Sequence, residues 1–215
     1  EAALAIQSGE IEIAAICGGE AEHSVRRAGR EGVTLPWPAP SACAGCKERA
    51  MSHTFTAAAI QLVSGDDLAA NLARAEAWVA EAAAAGAQLV ALPEYFYLMP
   101  EHDSARLALA EPFGHGPLQQ RMAALAARHG VWLLAGTLPL QGSQPQRFHN
   151  SSLLYGPQGQ CVARYDKLHL FGFDDGNERY AEADTMQPGD AITSADTPWG
   201  SLRLSVCYDL RFPEL

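Results

Sequence analysis

The chain has 215 residues, 48% of them hydrophobic and 19% charged, with a formal net charge of −10. Such a composition can bury a large core and excludes wholesale disorder, while the acidic balance argues against nucleic acid or an anionic membrane surface as partner. No apolar run approaches the roughly 18 residues that span a bilayer, and the first residues carry glutamates rather than a basic segment, so neither a membrane span nor a cleavable signal is expected.

Residues 1–50 mix Gly, Ala, Arg and Pro38-Ala39-Pro40 with no sustained helical or strand period, and the pattern changes abruptly at Met51. A poorly ordered or non-native extension is expected over 1–50, with at most a short strand or helix around 11–17. A globular domain is expected over 51–215, with Met51 as the natural start. Within the extension, Cys43-Ala44-Gly45-Cys46 has the spacing of half a zinc site or of a redox pair. Only Cys17 and His23 stand near it and no second tight pair exists, so no metal is expected. Five cysteines, at 17, 43, 46, 161 and 207, are odd in number and irregular in spacing, which fits a reducing cytoplasm.

From residue 55 onward, strand and helix patterns alternate. Residues 55–63 read as an apolar strand. Over 66–85, Leu68, Leu72, Ala75 and Val79 share one helical face, with Asp66 or Asp67 at the start and Gly86 as the stop. This helix, with Trp78 and its many alanines, is expected to pack on a sheet. Gln88-Leu89-Val90-Ala91-Leu92 is a short strand that Pro93 must end, because proline donates no ladder bond, and Glu94 then stands at its carboxyl end. A glutamate there can serve as a general base if its surroundings raise its pKa; the bland alternative is a solvated loop charge.

After a loop rich in Pro, Gly and His, Leu118, Met122 and Leu125 align on a helix over 118–129 that Gly130 ends, and 131–138 reads as a buried strand. Residues 148–155 and 160–165 form a hairpin across Gly156-Pro157-Gln158-Gly159. A second hairpin joins 191–196 to 201–206 across Pro198-Trp199-Gly200. Lys167 follows the first hairpin in Tyr165-Asp166-Lys167-Leu168-His169-Leu170-Phe171, where it either snorkels outward or is held inward beside carboxylates. After the second, Leu202, Leu204 and Val206 deliver Cys207 into Cys207-Tyr208-Asp209-Leu210-Arg211-Phe212-Pro213-Glu214. A thiol at the end of a buried strand, followed at once by charge, reads as a nucleophile on a turn; the bland reading is a small core residue. A Glu, a Lys and a Cys in that order, each near the end of an apolar strand, outweigh the bland readings taken singly.

Leu92-Pro93-Glu94, Tyr165-Asp166-Lys167-Leu168-His169-Leu170-Phe171 and Val206-Cys207-Tyr208-Asp209 resemble the motifs of the carbon-nitrogen hydrolase (nitrilase-like) superfamily, over about residues 55–215. The resemblance implies a catalytic Glu94, Lys167 and Cys207, with no cofactor. In chemical terms a Cys nucleophile attacks an amide, carbamoyl or nitrile carbon while a carboxylate takes the thiol proton and later returns one to ammonia. An ammonium and a backbone N–H, here that of Tyr208, stabilise the oxyanion. A supporting glutamate falls by resemblance on Glu182, ahead of Pro188-Gly189-Asp190, with Glu178 as its competitor. Because a cation confined among carboxylates is held at a desolvation cost, removing Lys167 is expected to cost little stability.

Alternation followed by hairpins indicates mixed α/β layers. The resemblance sharpens this to a four-layer α-β-β-α sandwich of the nitrilase-like type, assembled as a homodimer or higher homo-oligomer. Family members continue well past the nucleophile, so a C-terminally truncated fragment is expected. The residues after Cys207 are most similar to the omega-amidase and deaminated glutathione amidase branch. The implied reaction is thiol-dependent hydrolysis of the ω-amide of a small carboxylic or 2-oxo acid, releasing ammonia through a cysteinyl thioester. A nitrilase or carbamoyl-amide hydrolase, or a non-catalytic remnant or interaction subunit, are the alternatives. Arg211 is either an anchor for a substrate carboxylate or the ion-pair partner of Asp209.

Overall fold

The computed structural model describes residues 3–6, 11–12 and 55–215. In chain order its elements are β1 (Ala3–Ile6), β2 (Ile11–Glu12), β3 (Phe55–Ala59), α1 (Leu68–Ala84), β4 (Leu89–Ala91), α2 (Ser104–Leu107), α3 (Pro117–His129), β5 (Trp132–Leu134), β6 (Leu138–Gln141), β7 (Phe148–Tyr155) and β8 (Cys161–Asp166). There follow β9 (Gly172–Asp174), β10 (Arg179–Ala181), a 3-10 turn (Glu182–Asp184), β11 (Ser194–Thr197), β12 (Gly200–Arg203) and a last 3-10 turn (Cys207–Arg211). The Cys43 and Cys46 pair, Cys17, His23 and Met51 lie outside the described residues, as does 13–17 of the element expected around 11–17.

A seven-stranded sheet runs β1-β3-β4-β5-β7-β6, with β8 also paired to β7. β3, β4 and β5 are parallel, and β7 is antiparallel to β5, β6 and β8. Neighbouring residues on each strand point to opposite faces. Val90, Leu92, Leu133 and Leu153 face the helices, packing with Leu72, Ala75 and Val79 of α1 and Met122, Leu125 and Ala126 of α3. Leu89, Leu134 and Leu154 face the other way, onto Ala195, Leu202, Leu204 and Val206 in and beyond the small sheet β11-β12-β2. Burial on both faces is why these strands read as continuous apolar runs rather than alternating ones. Helices, large sheet and small sheet are stacked in the order of the first three layers of an α-β-β-α sandwich. Each fully buried Leu contributes about 1.5–3 kcal/mol to that stack.

The helix boundaries follow from their caps. Asp67 accepts the N–H of Ala70 at 3.0 Å at the start of α1, and Gly86 takes φ +91° just past its end. Trp78 sits on the flank of α1, 43% exposed, so the sheet contact belongs to Ala75 and Val79 and not to the tryptophan. α3 starts at Pro117, and the buried carboxylate of Glu111 accepts the N–H groups of Leu118 at 2.6 Å and Gln119 at 3.2 Å.

Two expected strands are shorter than their apolar runs. The strand expected over 55–63 ends at Ala59 because its neighbour is stopped by Pro93; Ile60 N–H makes the last rung to Ala91 at 2.8 Å, and Val63 is exposed. The single strand expected over 131–138 is two, β5 and β6, separated by a bend at Gly136 with φ +42°. A side chain at Gly136 would collide with the backbone carbonyl of Pro93, so the bend and the end of β4 are packed directly together. β5 pairs with β4 on one side and β7 on the other, whereas β6 pairs along β7 and meets Glu111 in a single parallel bridge at Leu140. The hairpin β9–β10 was not expected. Its strands have three residues each, too short for a period, although Asp175 closes the turn by accepting the N–H groups of Asn177 and Glu178 at 2.9 and 2.8 Å.

Candidate active site

The carboxyl end of β4, the end of β8 and the last 3-10 turn meet at one point. Leu92 N–H still bonds Leu134 O at 2.9 Å, and past Pro93 the chain turns through Tyr95, a non-glycine residue with φ +54°. Tyr95 N–H is received by Thr137 Oγ1 at 3.1 Å, just after the Gly136 bend. This clamp leaves Glu94 buried, with its side chain turned into the molecule. Lys167 follows β8 directly; its N–H bonds Asn150 O and its C=O receives Gly189 N–H, both at 3.0 Å. Gly189 lies so close to the Asp166 backbone that no side chain fits, which gives the Pro188-Gly189-Asp190 segment a packing reason.

Lys167 Nζ donates to Glu94 Oε1 at 3.1 Å and to Glu182 Oε1 at 2.9 Å, and all three side chains are almost fully buried. The Cys207 thiol hydrogen-bonds the Glu94 carboxylate and feels the charges of Lys167 and Glu182. Lys167 is therefore held inward, and the snorkelling alternative is excluded. Glu182 opens its 3-10 turn buried, accepting also from Tyr95 Oη at 3.0 Å and from Phe171 N–H at 2.7 Å. Glu178, its competitor, is exposed on the β9–β10 turn.

Cys207 has φ +52°, a conformation few non-glycine residues adopt, and it opens the last turn directly after the buried Val206. Asp209 holds this elbow. Its Oδ2 accepts Tyr165 Oη at 2.6 Å and Val206 N–H at 2.9 Å, and its Oδ1 accepts His169 N–H at 3.0 Å with His169 Nδ1 at 2.8 Å. The His169 ring stacks on Phe212, and Tyr208 stands edge-on to Phe171 and Phe212, so the turn is packed against the segment that carries Lys167. The ion pair weighed between Arg211 and Asp209 does not form. At three residues per turn, positions two apart lie about 240° around the axis, and Arg211 is exposed while Asp209 is buried. Asp209→Ala is expected to leave the Val206 N–H and the Tyr165 hydroxyl without their acceptor and to cost about 3 kcal/mol, measured by urea denaturation. A loss below about 0.5 kcal/mol would show that the elbow is held by other contacts.

The electrostatics of the cluster follow from burial opposed by pairing. Burial pushes the Glu94 carboxyl up; Lys167 pulls it down, Glu182 pushes it up again, and the net shift is upward. For Lys167 burial works toward the neutral amine, but the charges of Glu94 and Glu182, and the Cys207 sulfur, outweigh it and hold the ammonium above its ordinary range. The Cys207 thiol is pushed up to about 11, by burial first and by Glu94 second, against the pull of Lys167. At neutral pH the sulfur thus keeps its proton and has a carboxylate hydrogen-bonded to it, ready to take that proton as the sulfur forms a bond. An ammonium beside both groups can meet negative charge developing on a substrate oxygen.

Asn150, Tyr95 and Thr137 were not singled out from the sequence, and Asp209 was weighed there only as a motif residue and as the ion-pair partner of Arg211. Asn150 Nδ2 donates to Glu94 Oε1 at 2.6 Å from the middle of β7, a position with no local signal. Asp209 did carry one, as a carboxylate two residues past the cysteine on a turn-forming stretch.

Residues 56–215 match the family model described as Carbon-nitrogen hydrolase. The deaminated glutathione amidase of Yersinia enterocolitica is 45% identical over 161 residues, covering 74% of this chain and 56% of that protein. The omega-amidase of Homo sapiens is 33% identical over 169 residues, covering 75% of this chain and 58% of its own. The chain thus spans little more than half the length of these relatives. Among solved structures, the Caenorhabditis elegans NitFhit protein superposes with a TM-score of 0.66 at 32% identity, over 73% of this chain and 39% of that one. A mutant of the amidase from Nesterenkonia sp. AN1, showing the result of Michael addition of acrylamide at the active-site cysteine, superposes with a TM-score of 0.61 at 25% identity, over 73% of this chain and 58% of that one. With the family match running from Thr56 to Leu215 and enclosing Glu94, Lys167, Glu182 and Cys207, the chain belongs to the carbon-nitrogen hydrolase family.

Proposed function

We propose that this chain carries the nucleophile, base and oxyanion-stabilising cation of an amidase that hydrolyses the ω-amide of a small carboxylic or 2-oxo acid. The observation that carries this reading is the convergence of a buried ammonium on two buried carboxylates, one of which is hydrogen-bonded to the thiol of a strained elbow. The names of the relatives from Yersinia enterocolitica and Homo sapiens support the choice of amide.

In the proposed cycle Cys207 Sγ bonds the amide carbon as its proton passes to Glu94. The oxyanion faces the Lys167 ammonium and the Tyr208 N–H. Collapse breaks the C–N bond, and Glu94 returns the proton to departing ammonia. Water then attacks the thioester, giving one proton to Glu94, and the acid leaves as the thiol is restored. Glu182 and Tyr95 hold Lys167 in place, and Arg211, with Asp209 occupied elsewhere, is the candidate anchor for the substrate carboxylate. No step calls for a cofactor. The odd cysteine count suits a reducing cytoplasm, and the resemblance to the family supports a homodimer or higher homo-oligomer.

Release of ammonia from a primary 2-oxo acid ω-amide, and of cysteinylglycine from deaminated glutathione, followed against pH in the intact protein, tests the reading. Glu94 must be ionised to accept the thiol proton, so activity is expected to fall on the acid side at a pH above the ordinary glutamate value of 4.5. With the thiol raised to about 11 and the lysine held above its ordinary value of 10.5, no alkaline loss is expected below pH 9. No release from any amide would favour a non-catalytic role for the fold.

A further inference from the structure

Asn150 occupies a place that stability alone does not explain. It lies in the interior of β7, with β6 on one edge and β8 on the other, and is 1% exposed. Asparagine is a poor strand former, and burying its amide is costly unless both ends are hydrogen-bonded. Only one end is. Nδ2 donates to Glu94 Oε1 at 2.6 Å, while Oδ1 is buried with no hydrogen-bond partner among the described residues. The backbone carbonyl of the same residue receives the N–H of Lys167 at 3.0 Å. One residue thus grips the side chain of Glu94 and the main chain of Lys167.

We propose that Asn150 is a positioning residue that fixes the orientation of the Glu94 carboxylate and favours its ionised form, so that Glu94 is ready to take the Cys207 proton. An ionised carboxylate can only accept, so the amide must present its NH2 to Glu94 and its oxygen is the end left unpaired. A protonated carboxyl accepts more weakly at Oε1 than an ionised one, so the Nδ2 contact favours the ionised state. The other groups facing Glu94 are the Lys167 ammonium from the end of β8, the Glu182 carboxylate from its 3-10 turn and the Cys207 thiol from the elbow, with the Tyr95 hydroxyl held on Glu182. Burial and Glu182 push the Glu94 carboxyl up, whereas Lys167 and Asn150 oppose them.

The inference rests on reading Glu94 as the general base, so its test uses Cys207 reactivity as well as turnover. Because the thiol keeps its proton at neutral pH, alkylation of Cys207 by iodoacetamide needs Glu94 as acceptor and should show an acid limb where Glu94 protonates. In Asn150→Leu that limb is expected to move to higher pH, and kcat to fall about 10- to 100-fold with KM changed far less. Asn150→Asp keeps the shape of the side chain, replaces the donor by a second carboxyl, and is expected to move the limb the same way. It carries the test should the leucine variant fail to fold, as judged by thermal melting. A limb that stays in place in a folded variant overturns the proposal, whatever happens to turnover, because a merely structural residue lowers the melting temperature without moving a titration. A wild-type alkylation rate with no acid limb overturns it too. Absence of amide hydrolysis with an intact limb shift sinks the amidase reading alone and leaves the role of Asn150 standing.

Discussion

Cys207→Ala is expected to abolish ammonia release, by at least about 10⁴-fold in kcat, since every bond made and broken in the proposed cycle passes through its sulfur. Cys207→Ser is expected to lose nearly as much, because a hydroxyl ionises far less readily than a thiol and Glu94, a weak base even when raised, gains little hold on its proton. The fold should survive both changes. The elbow is held by Asp209 through Val206 N–H and Tyr165, not by the sulfur, and the alanine removes no charge from the buried cluster. Unfolding free energy should change by no more than about 1 kcal/mol, leaving substrate binding measurable by calorimetry. Turnover of Cys207→Ala within tenfold of wild type, with the same acid limb, would place the nucleophile elsewhere.

The three strand-end residues were legible because each breaks an apolar run in a way the core would reject. Pro93 ends a ladder, Lys167 interrupts Tyr165 to Phe171, and charges follow Cys207 at once. Glu182 was reached only through the family resemblance, which placed it ahead of Pro188-Gly189-Asp190, a segment the structure ties to the Asp166 backbone beside Lys167. Asn150 was not legible, since its meaning depends on β7 lying between the strands that deliver Glu94 and Lys167, a non-local pairing with no sequence period. The split of 131–138 did leave a mark, the glycine at 136 within an apolar run, but only contact with Pro93 shows that the bend supports Glu94. The proximity of Asp209 and Arg211 was misleading for the opposite reason, because a 3-10 turn separates neighbours that a straight reading would pair.

Lys167→Met is expected to lower the rate of thioester formation at least about 10²-fold, the loss typical of removing one oxyanion-stabilising donor. Its effect on stability should be large as well, contrary to what the sequence alone implies. The desolvation cost of the lysine is real, but Nζ lies 3.1 and 2.9 Å from two carboxylates whose side chains are nearly inaccessible. Its removal therefore leaves Glu94 and Glu182 buried with no cation between them. Breaking a buried pair from one side costs about 3–5 kcal/mol. In the wild type the lysine has its folded value raised, so its contribution is fully present below the unfolded value of 10.5 and is lost as pH rises through the higher folded one. In the variant Glu94, whose carboxyl burial already pushes up, loses the cation that opposed that rise. A carboxyl with a raised folded value binds more protons folded than unfolded, so the deficit should narrow as the pH is lowered. Urea denaturation at pH 5 and pH 8 should therefore show the variant closer to wild type at pH 5. Single-turnover mass spectrometry on the folded protein reads the chemistry separately. If Lys167→Met is destabilised as expected yet acylates Cys207 at the normal rate, the lysine only neutralises the two glutamates, and oxyanion stabilisation falls to the Tyr208 N–H and its neighbours.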